Sequence, residues 1–456
     1  MKKSPLSVKL GAAVVAVAAV AAYNVGAATS AGATSPSMQP HRVKVYPDAR
    51  KVSTNPDAAQ FSCQSRPIDG SQGPRCYSPA EIQKAYGVSP LLADGHDGSG
   101  RTIVIIDAYQ NPYVADDLAT FDQTFDLPTS SFTNIVMPGT PRFNKHDANQ
   151  VGWGEETTLD VLWSHAIAPA ANIVLVSAAS NNDTDILSAT QYAVDHDLGD
   201  VISQSFGEND TCVDPQLLAD QHQLFQAAVD KGITPIASSG DSGAAQFTCD
   251  GSGAVAAASS PASDPLVTGV GGTTLNAADD GTYVGETAWT EQLFGCNPPA
   301  VASGDINCSG GGHSAVFPRP DFQKGFVSGT RRGVPDVAYN AGVNGGVLTV
   351  CSVCNNGKTA VFLFGGTSAG TPQWAGITAI GDQMAGRRMG DLNPALYAVS
   401  AAAQRSGALH DITTGNNDVV ELGGFGFNAD HGWDAVTGLG TPNAAMLLPQ
   451  LVRRAG

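Results

Sequence analysis

The chain has 456 residues, of which 14% are charged and 52 are glycine, and its formal charge is −18. That length allows one large α/β domain or several smaller ones, and the composition is that of a tightly turned globular protein, not a disordered chain. The acidic balance excludes nucleic acid and anionic membrane surfaces as electrostatic partners. It also suits work in acid, where part of the charge titrates away.

Residues 1–33 place three lysines before a short Ala/Val run and a stretch of small residues, the pattern of a secretory signal peptide. The run is too short and too alanine-rich for a membrane span, and no later segment is apolar for long enough. Residues 34–75, rich in Pro, Ser, Asp and Gln, read as a linker or short pro-segment, and 76–456 as the folded domain. "RTIVIIDAY" (101–109) has a buried-strand pattern and "VADDLATFDQTF" (114–125) a helical one. "ANIVLVSAA" (171–179) and "DVISQSFG" (200–207) read as strands separated by a helix over 183–197. A helix over 215–232 leads to "ITPIASSGDSG" (233–243). Short apolar strands alternating with helices predict a parallel sheet covered on both faces, with ligands at the carboxyl ends of the strands. Residues 244–360 are Gly/Ser/Asn-rich and are expected to form long surface loops and shorter strands.

Export permits disulfides. The eight cysteines fall into four local couples: Cys63 with Cys76, Cys212 with Cys249, Cys296 with Cys308, and Cys351 with Cys354. Zinc would want clustered pairs, and only Cys351-Ser-Val-Cys354 has that form, so disulfides are the preferred reading.

Three stretches suggest chemistry. In "GWGEETTLDVLWSHAIAP", Glu156 and Asp160 would share one helix face, within an apolar run that leaves little room for a wet surface. In "PIASSGDSGA", Asp241 follows an apolar strand at the edge where α/β sites form, although Asp is also a common turn residue there. In "FGGTSAGTPQWAG", glycines relieve crowding around Ser368, and Pro372 suits the first turn of a following helix. Ser368 would then sit at a helix N-terminus, which favours a nucleophile or oxyanion. None of the nine histidines lies in a motif that would serve this serine as base.

In order and spacing these stretches resemble the sedolisins, the serine-carboxyl peptidases with a subtilisin-like fold, over roughly residues 76 to 450. Further marks are "SQSFG" (203–207), "SSPASDPLVTGVGGT" (259–273), "ETAW" (286–289), "GGGHSAVFPRPDFQ" (310–323) and "GVPDVA" (333–338). The resemblance implies a single large α/β domain that hydrolyses peptide bonds in proteins or peptides. Ser368 would be the nucleophile, Glu156 its base, Asp160 the residue that holds Glu156, and Asp241 the oxyanion donor. Ser203, Ser205 and Gly207 would bind substrate. "HDITTGNN" (410–417) and "DHGWDAVTGLGTP" (430–442) resemble the family's calcium loop, implying one structural Ca2+ held by Asp411 and Asp434 and by the carbonyls of Ile412, Asp430 and Gly432. A monomer is expected, free of membrane after signal removal.

Such a site needs one ionised carboxyl as base and one protonated carboxyl as donor, which places working pH near ordinary carboxyl pKa values, on the order of 3 to 5. Asp107, in "IIDAY", stands where a subtilisin would carry its aspartate, but without a matching histidine motif it is left outside the triad. Two departures stand out. Many sedolisins carry a large N-terminal activation domain where this chain has some forty residues, and Gly365 replaces a serine common before G-T-S. Two other readings are a non-catalytic scaffold, against which all four catalytic positions are filled, and a serine esterase, which would be expected to show Gly-x-Ser-x-Gly with a histidine base.

Overall fold

The branched aliphatic runs of the sequence become the strands of one central sheet. The computed structural model describes residues 42–45, 49–129, 131–291, 308–419 and 422–455. Residues 1–33, read from sequence as a signal peptide, and Cys296 lie outside the described residues. The sheet strands are β1 (Thr102–Ala108), β2 (Ser131–Val136), β3 (Asn172–Ala178), β4 (Val201–Gln204), β5 (Thr234–Ser238), β6 (Thr268–Ala277), β7 (Tyr283–Ala288) and β8 (Val337–Asn340). They pair in the order β7-β6-β5-β4-β1-β3-β2, with β8 also on β6. All pairs are parallel except β6 with β7.

Five helices frame the site: α1 (Val114–Phe125), α2 (Ala148–Ile167), α3 (Asp183–Asp195), α4 (Pro215–Asp230) and α5 (Thr367–Ala385). The two-residue period of β1 divides the core. Ile103 and Ile105 join the apolar cluster that includes Leu159 of α2 and Trp374 of α5. Val104 and Ile106 face the other way, into the cluster with Ile186 of α3 and Leu224 of α4. The sheet is thus covered on both faces, as parallel sheets require. Asp147 starts α2 by accepting from the backbone N–H of Asn149 and Gln150, and Asp214 starts α4 through Gln216 and Leu217. Each such cap contributes about 1 kcal/mol.

The 244–360 region differs from the loop-rich expectation. It contains the ten-residue β6, buried within the sheet, whose Gly/Thr composition reads as loop although its neighbours on both sides make it a strand. Residues 49–53 pair antiparallel with 361–364, so part of the stretch ahead of residue 76 is built into a second sheet. Disulfides join Cys63 to Cys76, Cys212 to Cys249 and Cys351 to Cys354. Cys308 is also disulfide-bonded. Among the described residues no helix is long and apolar enough to cross a membrane.

Candidate active site

Helix α2 runs through the interior, and nearly every residue from Trp153 onward is buried. Glu156 and Asp160 lie one turn apart on it, and both side chains are buried. Asp160 Oδ1 accepts from Ser205 Oγ at 2.8 Å. Among the described residues neither carboxyl oxygen of Glu156 has a hydrogen-bond partner, nor does Asp160 Oδ2. Burial holds both carboxyls well above the usual range, and the neighbouring Asp107 charge pushes each further. The Ser368 hydroxyl acts the other way on Glu156, favouring its carboxylate, though no hydrogen bond within 3.5 Å joins them.

Asp107, excluded from the triad on sequence, is therefore part of the same buried carboxyl group. Its own pKa is raised by burial and eased by the Thr157 hydroxyl. The missed signal is parity. Asp107 shares the face of Ile103 and Ile105, which point at α2, and it is the next residue on that face toward the strand's carboxyl end.

Ser368 is the second residue of α5, inside its first turn, where the helix dipole and unpaired N–H groups favour negative charge. Its Oγ lies 3.4 Å from the carbonyl oxygen of Ser205, which follows β4. The preceding Gly366 has φ +101°, and a Cβ there would fall 2.7 Å from Asp241 Oδ2. Only glycine lets the turn come this close to the carboxyl. Pro372 is not in the first turn as expected, but lies inside α5. Lacking an N–H, it leaves the Ser368 carbonyl without its helical donor four residues on.

Asp241 follows β5, and its Oδ1 accepts from Thr367 N at 2.9 Å and Thr367 Oγ1 at 2.6 Å. It is thereby fixed beside Ser368 at the mouth of a cleft that Ser205, Gly207, Asp241, Thr367 and Ser368 help to line. Ser203 does not reach this cleft. It lies two residues deeper, opposite Ile105 and Ile236 in the middle of the sheet, and is buried. Residues 366–370 have the Gly-x-Ser-x-Gly spacing of a hydrolase elbow, yet among the described residues no histidine lines the cleft. A serine next to buried carboxyls, with another carboxyl at the helix N-terminus, has carboxyl groups at hand as proton acceptors.

In the second candidate site, both oxygens of Asp411 accept from Gly432 N, at 3.1 and 3.2 Å, and Asp434 Oδ2 accepts from Asp430 N at 3.3 Å. Two carboxylates thus flank one backbone loop, with Ile412 buried next to Asp411. Burial pushes Asp434 up to about 6, and no basic side chain pairs with it among the described residues. No cluster of three or more His, Cys, Asp or Glu suited to a metal occurs among them. A cation here would draw on two carboxylates and backbone carbonyls, the hard oxygen set that suits calcium.

Residues 145–387 match the model of the subtilase family. Kumamolisin of Bacillus sp. (strain MN-32) is 33% identical over 393 residues, covering 84% of this chain and 65% of the relative. Sedolisin of Pseudomonas sp. (strain 101) is 33% identical over 279 residues, covering 60% and 44%. The chain therefore spans about two thirds or less of the length of these relatives. The solved structure of Pseudomonas sedolisin, a serine-carboxyl proteinase complexed with pseudo-iodotyrostatin, matches with a TM-score of 0.70 at 25% identity, over 84% of this chain and 99% of that one.

Proposed function

The chain belongs to the sedolisin family of serine peptidases, on the subtilisin-like fold, and from that premise we propose that it is a secreted, acid-acting endopeptidase with Ser368 as nucleophile and Glu156 as general base. The observation that carries the reading is the placement of Ser368 in the first turn of α5, between the buried Glu156–Asp160 pair and Asp241, in a cleft that no histidine lines among the described residues.

In this mechanism Ser368 Oγ attacks the scissile carbonyl carbon and its proton passes to Glu156. The resulting oxyanion accepts a hydrogen bond from protonated Asp241, whose Oδ1 is engaged by Thr367. Collapse breaks the C–N bond, and Glu156 returns the proton to the leaving amine. Water, deprotonated by Glu156, then hydrolyses the acyl-enzyme. Burial makes the carboxyls strong bases when ionised, and their mutual repulsion keeps protons on the group as a whole. Asp160 is held by Ser205 and in this reading would share a proton with Glu156 one helical turn away. One carboxylate and one carboxylic acid coexist over the range in which the group as a whole holds some but not all of its protons, and the raised values of Glu156 and Asp160 extend that range upward from ordinary carboxyl pKa values.

Residues 1–33 serve as signal peptide in this reading, 34–75 as linker or short pro-segment and 76–456 as a monomeric peptidase acting on proteins or peptides. Ser205 and Gly207 border bound substrate. Calcium at Asp411 and Asp434, with the carbonyls of Ile412, Asp430 and Gly432, would supply positive charge for two carboxylates, one of them buried. The experiment is hydrolysis of a denatured protein at pH 4. Release of peptides by the wild type and none by Ser368→Ala supports the reading, and equal release by both overturns it.

A further inference from the structure

Residues 42–45 run through the cleft as an extended segment held on both edges. On one side Val43 N donates to Asn181 O at 3.1 Å, and Asn181 Nδ2 donates to Val43 O at 2.9 Å. On the other, Lys44 and Gly207 exchange both backbone hydrogen bonds in antiparallel register, at 3.1 and 3.3 Å. The Val43 side chain is buried in the cluster that holds Trp153 and Phe206. Lys44 and Val45 line the same cleft as Asp241 and Ser368. Strand addition of this kind uses only bonds that any extended peptide can make, so side-chain subsites must supply the selectivity.

The Lys44 side chain shows one such subsite occupied. Its ammonium lies 4.5 Å over the Phe247 ring, within cation–π range. It also sits close enough to Glu208 to favour that carboxylate. Glu208 is hydrogen-bonded to Asp183, and burial and the Asp183 charge push it up to about 9 against the pull of Lys44. Two carboxyls in contact keep one proton between them and leave one negative charge for a cation.

We propose that Phe247 and the Asp183–Glu208 pair form a specificity subsite for a basic side chain, and that the substrates are extended peptides with Lys or Arg at the position Lys44 occupies. The register names that position. A peptide residue opposite Gly207 is followed two residues later by one opposite Ser205, whose carbonyl oxygen is 3.4 Å from Ser368 Oγ. The basic residue is therefore the third one upstream of the cleaved bond, and the chain's own 42–45 segment is a built-in competitor. This position relative to the cleaved bond rests on Ser368 being the nucleophile; the binding preference does not.

The test is fluorescence anisotropy on the full chain carrying Ser368→Ala, to block turnover, and Lys44→Ala, to weaken the internal competitor. It is titrated with two labelled peptides that differ only in lysine or norleucine at the position opposite Gly207. The lysine peptide should bind about fivefold tighter or more, and the ratio should fall to within about twofold when Asp183→Asn and Glu208→Gln are added together. Phe247→Leu should lower the ratio independently, which covers the event that the double variant fails to fold. Equal binding of the two peptides, binding of neither, or a preference that survives in the folded variants overturns the subsite. Cleavage of both peptides by the chain with Ser368 intact separates the two readings. Preference without cleavage removes the peptidase and leaves the subsite, and cleavage without preference does the reverse.

Discussion

The Ser205 hydroxyl donates to Asp160 Oδ1 at 2.8 Å, linking the end of β4 to the middle of α2. This is the bond that favours the Asp160 carboxylate against its burial. Replacing it by Ser205→Ala leaves a buried acceptor without its donor, a cost of about 1–3 kcal/mol in stability. We expect kcat to fall about tenfold with KM little changed. Urea melts and steady-state kinetics on one preparation measure both effects, and unaltered kcat in a destabilised protein would make the bond purely structural.

Glu156→Gln should lower kcat/KM by at least about 10²-fold, the usual contribution of a general base, since among the described residues no histidine lines the cleft to replace it. The fold should survive, because Gln keeps the shape of Glu and neither Glu156 carboxyl oxygen has a hydrogen-bond partner to lose among the described residues. Kinetics at the acid optimum and circular dichroism check the two halves. Retention of more than a few per cent of activity would remove Glu156 from its role.

Asp241→Asn should flatten the alkaline limb of the pH–rate profile. Thr367 donates to Oδ1, so donation to an oxyanion falls to the other oxygen and requires it to be protonated. An ionised Asp241 would repel the oxyanion, and the loss of one oxyanion donor costs about 10²–10³ in rate. Asparagine keeps a donor that cannot ionise, at the expense of geometry. The variant should be slower at the optimum yet fall less steeply toward neutral pH. Coincident alkaline limbs in the two proteins, both folded, would exclude Asp241 from that limb.

Stability should be higher near pH 4 than at pH 8. Burial raises Asp117 to about 6, Asp391 to about 7 and Asp382 to about 8. A carboxyl whose folded pKa lies above its unfolded value contributes stability that is complete below about pH 4 and is lost as pH rises through the folded value. The window for these three thus runs from about pH 4 to about pH 8. Between its unfolded and folded pKa, each group gives up about 1.4 kcal/mol for every pH unit. The formal charge of −18 adds repulsion over the same range. Exposed Asp250, lowered to about 2 by Thr248 and Ser252, works in the opposite sense only below pH 4. Calorimetric Tm values across pH 4 to 8 should fall; a rise would contradict the sign.

Chelation at neutral pH should lower Tm if calcium is held at Asp411 and Asp434. A ligand bound only by the folded state at a hundredfold excess over Kd adds about 2.7 kcal/mol. Asp434→Asn should have a lower Tm in calcium than the wild type and lose most of the response to chelator. A wild-type melt indifferent to chelator, with metal content measured as zero, would remove the ion.

The alternation of apolar strands and helices was legible along the chain because each element's period of burial is written in its own residues. β1 and α1 fall where their runs predict. The spacing of Glu156 and Asp160 was equally legible, since one helical turn fixes it without reference to the rest of the fold. What the chain order hides is which distant groups share a buried space. Asp107 joins Glu156 and Asp160 only because β1 packs its odd-numbered face on α2. Ser203 and Ser205, two residues apart in one motif, part company because the strand ends between them, leaving one inside the sheet and the other at the cleft. Lys44 meets Gly207, Phe247 and Glu208 across more than 160 positions of sequence. Local pattern determined the elements and the residue types at the site. Burial, charge sharing and the occupant of the cleft are properties of pairs remote in sequence, and only their packing decided them.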